Sequence, residues 1–123
     1  MVTEDYVSFE TAKLLKERGF GERCIYVYRH DGSEDIWDAD KEAIACQKPT
    51  LQMTVKWLRE IHYCHIVVGY TFKADAGLTN DYVSYVYQVE NAKTLTQHIS
   101  DRFFGSYEEA CEAAIKYCLE ILI

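Results

Sequence analysis

The sequence predicts an α+β fold in which an antiparallel sheet of about four to five strands packs against three helices. Apolar residues recur at helical spacing in three segments, and β-branched and aromatic residues alternate in the segments between them. Only residues 63–65 connect the central helix to the next strand, so helix and strand must fold back on one another. The predicted order is α-β-β-α-β-β-α, within a single domain over residues 1–123.

The first half of the chain is predicted to contain a helix, a hairpin and the central helix. In order, these elements are a helix between Ser8 and Gly19, strands at 24–30 and 36–37, a candidate strand at 43–46, and a helix that starts at 49–50 and reaches His62. Ser8 can cap the first helix through its hydroxyl, and Gly19 can adopt the left-handed conformation that ends many helices. Asp-Gly at 31–32 is a hairpin turn signal.

The second half is predicted to contain another hairpin and the last helix. Strands near residues 65–72 and 82–89 flank a link at 73–81 that carries glycine and asparagine, which favours an antiparallel pair. Residues 92–104 hold either a short strand near 95–99 or a loop. Ser106 and Glu109 have the spacing of a capping box, which predicts that the last helix starts there.

Charge and cysteine content limit the classes of function. The chain has 13 basic and 20 acidic residues and a net charge of −7, which disfavours nucleic acid and anionic membranes as partners. No apolar run approaches the ~20 residues of a spanning helix, and no signal peptide is visible. An odd number of cysteines without a Cys-x-x-Cys pair indicates reduced thiols. These observations predict a cytoplasmic protein.

Three residues near the end of the central helix are the closest approach to a metal site. His62, Cys64 and His65 have side chains that suit Zn²⁺, and they are the basis of a lower-ranked hypothesis of a small metal- or cysteine-dependent hydrolase. The spacing is irregular, and strand alternation points Cys64 and His65 to opposite faces. Core packing of the cysteines is therefore the favoured interpretation, and we expect neither metal nor cofactor.

Tyrosine is the most suggestive residue type, with ten tyrosines against five phenylalanines. The candidate binding residues are Tyr26, Tyr28, Trp57, Tyr70, Tyr85 and Tyr87. If one sheet face is uncovered, these rings predict a non-enzymatic protein-interaction module that binds a partner or forms a homodimer. The alternative, which is favoured for about half of these rings, is that they pack under the three helices with their hydroxyls at the rim. A second function hypothesis is single-stranded nucleic-acid binding, with Arg29, Arg59 and Lys73 on phosphates.

Three segments resemble a family of small proteins of unassigned activity from gut Bacteroidetes and their phages or integrated elements. They are residues 7–20 (VSFETAKLLKERGF), 49–62 (PTLQMTVKWLREIH) and 106–119 (SYEEACEAAIKYCL). The resemblance covers somewhat under half of the chain. It implies a small intracellular protein of mobile-element origin, and it implies no catalytic residue.

Overall fold

The computed structural model of the chain describes residues 2–72 and 83–123. The predicted α+β class is confirmed, with three helices and six strands in these ranges. The helices are Phe9–Glu17 (α1), Leu51–His62 (α2) and Tyr107–Tyr117 (α3), and the strands are Tyr26–Arg29 (β1), Glu34–Ile36 (β2), Ile44–Gln47 (β3), Cys64–Phe72 (β4), Val83–Asn91 (β5) and Thr96–Ile99 (β6). No helix in the described part of the chain is long and apolar enough to cross a membrane.

The strands form two antiparallel sheets of three strands each, with the orders β2-β1-β3 and β4-β5-β6. The prediction of one sheet with four to five strands was therefore wrong, as was the order α-β-β-α-β-β-α. The candidate strands at 43–46 and 95–99 are both formed, as β3 and β6; each adds a third strand to a predicted hairpin, and the observed order is α-β-β-β-α-β-β-β-α. The predicted pairing of β4 with β5 is confirmed, and the link predicted at 73–81 lies outside the described residues.

All three helices begin where the sequence predicts, because a hydroxyl side chain caps each one. The capping bonds run from the N–H of Thr11 to Ser8 Oγ (3.2 Å), from the N–H of Met53 to Thr50 Oγ1 (3.0 Å), and from the N–H of Glu109 to Ser106 Oγ (3.1 Å). In a full capping box, the Glu109 carboxylate would accept from the N–H of Ser106. Here it accepts instead from the N–H of Gly105 at 3.3 Å.

The end of α1 confirms the predicted stop at Gly19, which has a φ of +91°. The N–H of Gly19 donates to the carbonyl of Lys16 (3.1 Å), and that of Phe20 donates to the carbonyl of Leu15 (3.0 Å). This pair of bonds is a Schellman motif, which satisfies carbonyls that the helix end would leave free. Phe20 then packs against Trp57 of α2, with the ring centroids 5.2 Å apart.

A single left-handed residue makes the turn from α2 into β4. Tyr63 has a φ of +59°, and its N–H donates back to the carbonyl of Leu58. The carbonyl of Tyr63 accepts from the N–H of Ala92 (2.9 Å), which fixes the junction beside the end of β5. The helix therefore folds back onto the sheet, as the short connection predicted, and α2 and α3 both pack on β4.

The main core lies between the helices and the start of the β4–β5 pair. The side chains of Leu58, Cys64, Ile115 and Leu119 are fully buried there. The first sheet joins the same core through β3, which packs against α1. The helix layer thus covers one side of the second sheet near the start of β4.

Candidate functional site

β4 and β5 form a long ribbon whose helix-facing side is covered along only part of its length. Cys64, at the start of β4, is fully buried on that side. Residues at even spacing from Cys64 share its face, and two of them, Tyr70 and Phe72, are 64% and 69% exposed. One side of the same strand therefore passes from the core into solvent.

Four rings meet at this open end of the ribbon, and we call them the ring patch. They are Tyr70, Phe72, Tyr85 and Tyr107. The centroids of Tyr70 and Phe72 lie 5.5 Å apart in an edge-to-face arrangement, and those of Tyr85 and Tyr107 lie 6.5 Å apart. Tyr70 stands directly opposite Tyr85 in the strand register, so the two ring pairs are neighbours on one face of the ribbon.

Backbone and side-chain hydrogen bonds hold the base of the ring patch. Tyr85 exchanges two backbone hydrogen bonds with Phe104, at 2.9 and 2.8 Å. Tyr107 is the first residue of α3, and its hydroxyl accepts from Gln52 Nε2 of α2 at 3.4 Å. Tyr85 is half-buried, whereas Tyr70 and Phe72 present most of their surface to solvent. The patch thus combines two supported rings with two accessible ones.

Tyr87 lies on the same side of β5 as Tyr85 but is buried. Its hydroxyl is 3.5 Å from His98 Nε2, and its ring contacts Phe104 and Tyr117 at centroid distances of 5.9 and 6.4 Å. His98 in turn stacks on Tyr117, with centroids 3.9 Å apart and planes 6° from parallel. Tyr87 therefore belongs to a packed cluster between β5, β6 and α3, in line with the alternative that some of the rings pack under the helices.

Tyr26 and Tyr28 belong to the other sheet. Tyr28 is buried, its ring packs 5.3 Å from Phe9 of α1, and its hydroxyl donates to the carbonyl of Val7. Burial, assisted by nearby carboxylates, raises the pKa of Tyr28 to about 12. Tyr26 is half-buried against Tyr6, with centroids 5.6 Å apart. Tyr26 and Tyr28 share one face of β1, which belongs to a different sheet from the strands that carry the ring patch.

Trp57 is also a core residue. Its ring is buried between Phe20 and His62, at centroid distances of 5.2 and 4.7 Å. Hence the six aromatic candidates divide into two groups. Tyr28, Trp57 and Tyr87 are buried, whereas Tyr26, Tyr70 and Tyr85 keep exposed surface.

The three weak metal candidates do not converge. His62 packs on Trp57, Cys64 points into the core, and His65 is exposed on the opposite side of β4. Burial lowers the pKa of His62, and its Nε2 atom is buried without a hydrogen-bond partner. Within the described residues, no three His, Cys, Asp or Glu side chains come together in a way that could hold a metal ion. The three side chains point in different directions, because His62 ends α2 whereas Cys64 and His65 lie on opposite faces of β4.

All five cysteines are buried free thiols. Burial raises the pKa of every one of them: to about 11 for Cys24 and Cys111, and above the ordinary value for Cys46, Cys64 and Cys118. A cysteine nucleophile needs the opposite, a thiolate stabilised near neutral pH. The favoured prediction, that the cysteines pack in the core, is confirmed by their burial.

Of the basic residues suggested as phosphate contacts, the two that the structure describes belong to elements other than the β4–β5 ribbon. Arg29 forms an ion pair with Asp35 in the first sheet, with Nη1 and Oδ2 3.1 Å apart. Arg59 lies in the last turn of α2, and Lys73 falls outside the described residues. The geometry therefore adds nothing to the nucleic-acid hypothesis.

Comparison of the chain with protein-family models, with curated proteins and with solved structures gives no significant match. Only the residues of this chain therefore bear on its function. The ring patch is the strongest candidate, because two of its aromatic rings are exposed and the other two are held by hydrogen bonds to neighbouring residues.

Proposed function

We propose that this protein is a non-enzymatic interaction module that binds a protein surface, its own or that of a partner, through the ring patch. The observation that carries the proposal is the exposure of Tyr70 and Phe72 beside the supported rings of Tyr85 and Tyr107. Aromatic residues are enriched at interfaces because each one buries a large area while few torsions are fixed. The ring patch consists of such aromatic residues, and hydrogen bonds hold two of them, Tyr85 and Tyr107, in place.

Tyr70 and Phe72 are the expected anchors of the interaction. Complete burial of a large apolar side chain is worth about 1.5–3 kcal/mol relative to exposure. Because both rings are roughly two-thirds exposed, their burial would contribute about 2–4 kcal/mol together. The Tyr70 hydroxyl would remain at the rim of the interface, where it can be hydrated.

Net charge favours a protein over a nucleic acid as the partner. The chain carries −7, and affinity for a phosphate backbone depends on local Lys and Arg. Arg29, one of the three basic candidates, is engaged with Asp35. Single-stranded nucleic-acid binding is therefore the weaker proposal, and it predicts a steep loss of affinity with rising salt.

Site-specific photo-cross-linking tests the ring patch directly. Tyr70 is replaced by p-benzoylphenylalanine in one variant, and Trp37, a 54% exposed ring in the turn directly after β2, is replaced in the matched control. Each variant is irradiated alone and in an extract of the cells that express it. We expect cross-linked protein from position 70 and little from position 37. Equal yields from both positions, or none from position 70, would contradict the proposal.

The family resemblance and the cytoplasmic location belong to the same proposal. Two of the resembling segments, residues 49–62 and 106–119, correspond to α2 and α3, the helices that support the second sheet. The resemblance therefore concerns the layer that holds the ring patch, and it adds no site residue. We propose that this interaction module is encoded by a mobile element and acts in the cytoplasm.

A further inference from the structure

Within the part of the chain that the structure describes, β4 is a long sheet edge without the charged residues, proline or bulge that usually hinder pairing with another strand. It is the terminal strand of the β4-β5-β6 sheet, and it pairs with β5 from Cys64 to Phe72 without a shift of register. The strand contains no Asp, Glu, Lys, Arg or Pro. Sheet edges usually carry such residues, or a bulge, because their unpaired N–H and C=O groups recruit other strands.

The other sheet edges in the described part of the chain are short or charged. β2 has three residues, of which Glu34 and Asp35 form ion pairs with Lys48 (2.7 Å) and Arg29 (3.1 Å). β6 has four residues, and β3 packs against α1. The contrast with β4 shows that this chain protects its edges elsewhere.

Gly69 provides a second, independent observation on β4. It lies in the interior of the strand, on the side away from the helices, and a Cβ atom added there would meet nothing within 4 Å. An interior strand glycine costs roughly 0.5–1 kcal/mol relative to alanine. Such a glycine often marks a place where another chain approaches closely. Next to it on the same side, Val67 is 62% exposed.

We propose that β4 pairs antiparallel with β4 of a second copy of this chain, across a two-fold axis at Val68. This inference depends on the proposed function, because it names the partner. The axis places Val67 of each copy opposite Gly69 of the other, so the valine covers the open position. On the helix-facing side it places Tyr70 opposite Ile66. The two three-stranded sheets become one continuous sheet, with an isologous interface.

Electrostatics do not prevent a second copy of the chain from pairing with this edge. Each copy carries −7, so the two copies repel at long range. The pairing itself places no like charges opposite one another, because β4 is uncharged. We therefore expect dimerisation to strengthen as salt screens the repulsion. Nine strand residues per copy are fewer than the roughly 20–30 of a standard interface, so the dimer is a weak one.

Light scattering over a concentration series, with two lysine variants, tests the pairing. Val67→Lys puts a charge on the edge strand, as natural edges do. Gln88→Lys is the matched control, because Gln88 lies opposite Val67 on β5, on the same side but one strand away from the edge. We expect a dimer that Val67→Lys weakens about tenfold or more and that Gln88→Lys leaves nearly unchanged. A monomer at about 1 mM, or an equal response of both variants, would overturn the proposal.

Hydrogen exchange distinguishes edge pairing from other contacts. In the dimer, alternate amides of β4 should exchange more slowly as protein concentration rises, and unchanged exchange would overturn the edge pairing. If Val67→Lys proves unfolded by circular dichroism, His65→Lys replaces it, since His65 is exposed on the same side. A monomeric protein that cross-links a foreign partner from position 70 would overturn the β4 pairing but support the ring patch. A dimer that Val67→Lys dissociates, with no cross-links from position 70, would support the β4 pairing and overturn the ring patch.

Discussion

Leu95 occupies a backbone conformation that favours glycine, so replacing it by glycine tests whether the turn between β5 and β6 is strained. It has a φ of +60° and closes the turn from β5 to β6, where its N–H donates to the carbonyl of Asn91 at 2.8 Å. The Asn91 side-chain oxygen accepts from the N–H groups of Lys93 and Thr94, at 2.9 and 3.1 Å. Leu95 itself is 89% exposed, so its side chain contributes little packing.

The expected gain from Leu95→Gly follows from two opposing contributions. Left-handed backbone costs an L-residue roughly 1–2 kcal/mol, and the added freedom of glycine in the unfolded chain costs about 0.5–1 kcal/mol. The free energy of unfolding should therefore rise by about 0.5–1 kcal/mol. Leu95→Ala is the matched control, because it removes the same exposed side chain but keeps the Cβ atom that causes the strain.

Urea unfolding, followed by the fluorescence of the buried Trp57, measures the difference. The wild type and the two variants should show the same dependence of the free energy on denaturant, so the midpoints can be compared directly. Only Leu95→Gly should shift its midpoint upward. A lower midpoint for Leu95→Gly, or an equal gain for Leu95→Ala, would refute the argument from backbone strain.

Two further predictions concern buried titratable groups. Because burial raises the pKa of Cys24 and Cys111 to about 11, native thiols should react slowly with a disulfide reagent near about pH 8. Unfolded protein should react at all five cysteines, and rapid labelling of the native protein would count against their core placement. Because burial lowers the pKa of His62 from 6.5, the unfolded state binds this proton more readily. Stability should then fall from about pH 7 to about pH 5, and less so in His62→Gln; identical pH profiles would contradict this.

The helices were predictable because their signals are local. Each begins at a hydroxyl residue followed by apolar residues at helical spacing, and α1 ends at a glycine that adopts positive φ. The number of sheets was not predictable in the same way. β3 and β6 have four residues each, and each becomes a strand through pairing with β1 or β5. Short segments indicate where strands can form, but they do not show that the two groups of strands stay in separate sheets, because strand association depends on tertiary contacts.

The candidate site shows the same limit. Tyr85 and Tyr87 share one side of β5 and look equivalent in sequence, yet Tyr87 is buried and Tyr85 is half-exposed. The difference depends on where α3 and residues near Phe104 stop covering the sheet. Phe72 and Tyr107 were visible as aromatic residues, but their meeting with Tyr70 and Tyr85 required the fold. The stack of His98 on Tyr117 joins β6 to α3, and the sequence of neither element predicts it.

Burial in the core explains only part of the composition of β4. At a charged fraction of 27%, nine residues carry about two charged side chains on average, whereas β4 carries none. Burial explains the apolar residues on the helix-facing side near Cys64. It does not explain Val67, Gly69 and Thr71, which face away from the helices, where a lysine or glutamate would cost the fold little. The lack of charge on that outer side therefore favours an interface, and substitution there distinguishes a binding edge from a merely structural strand.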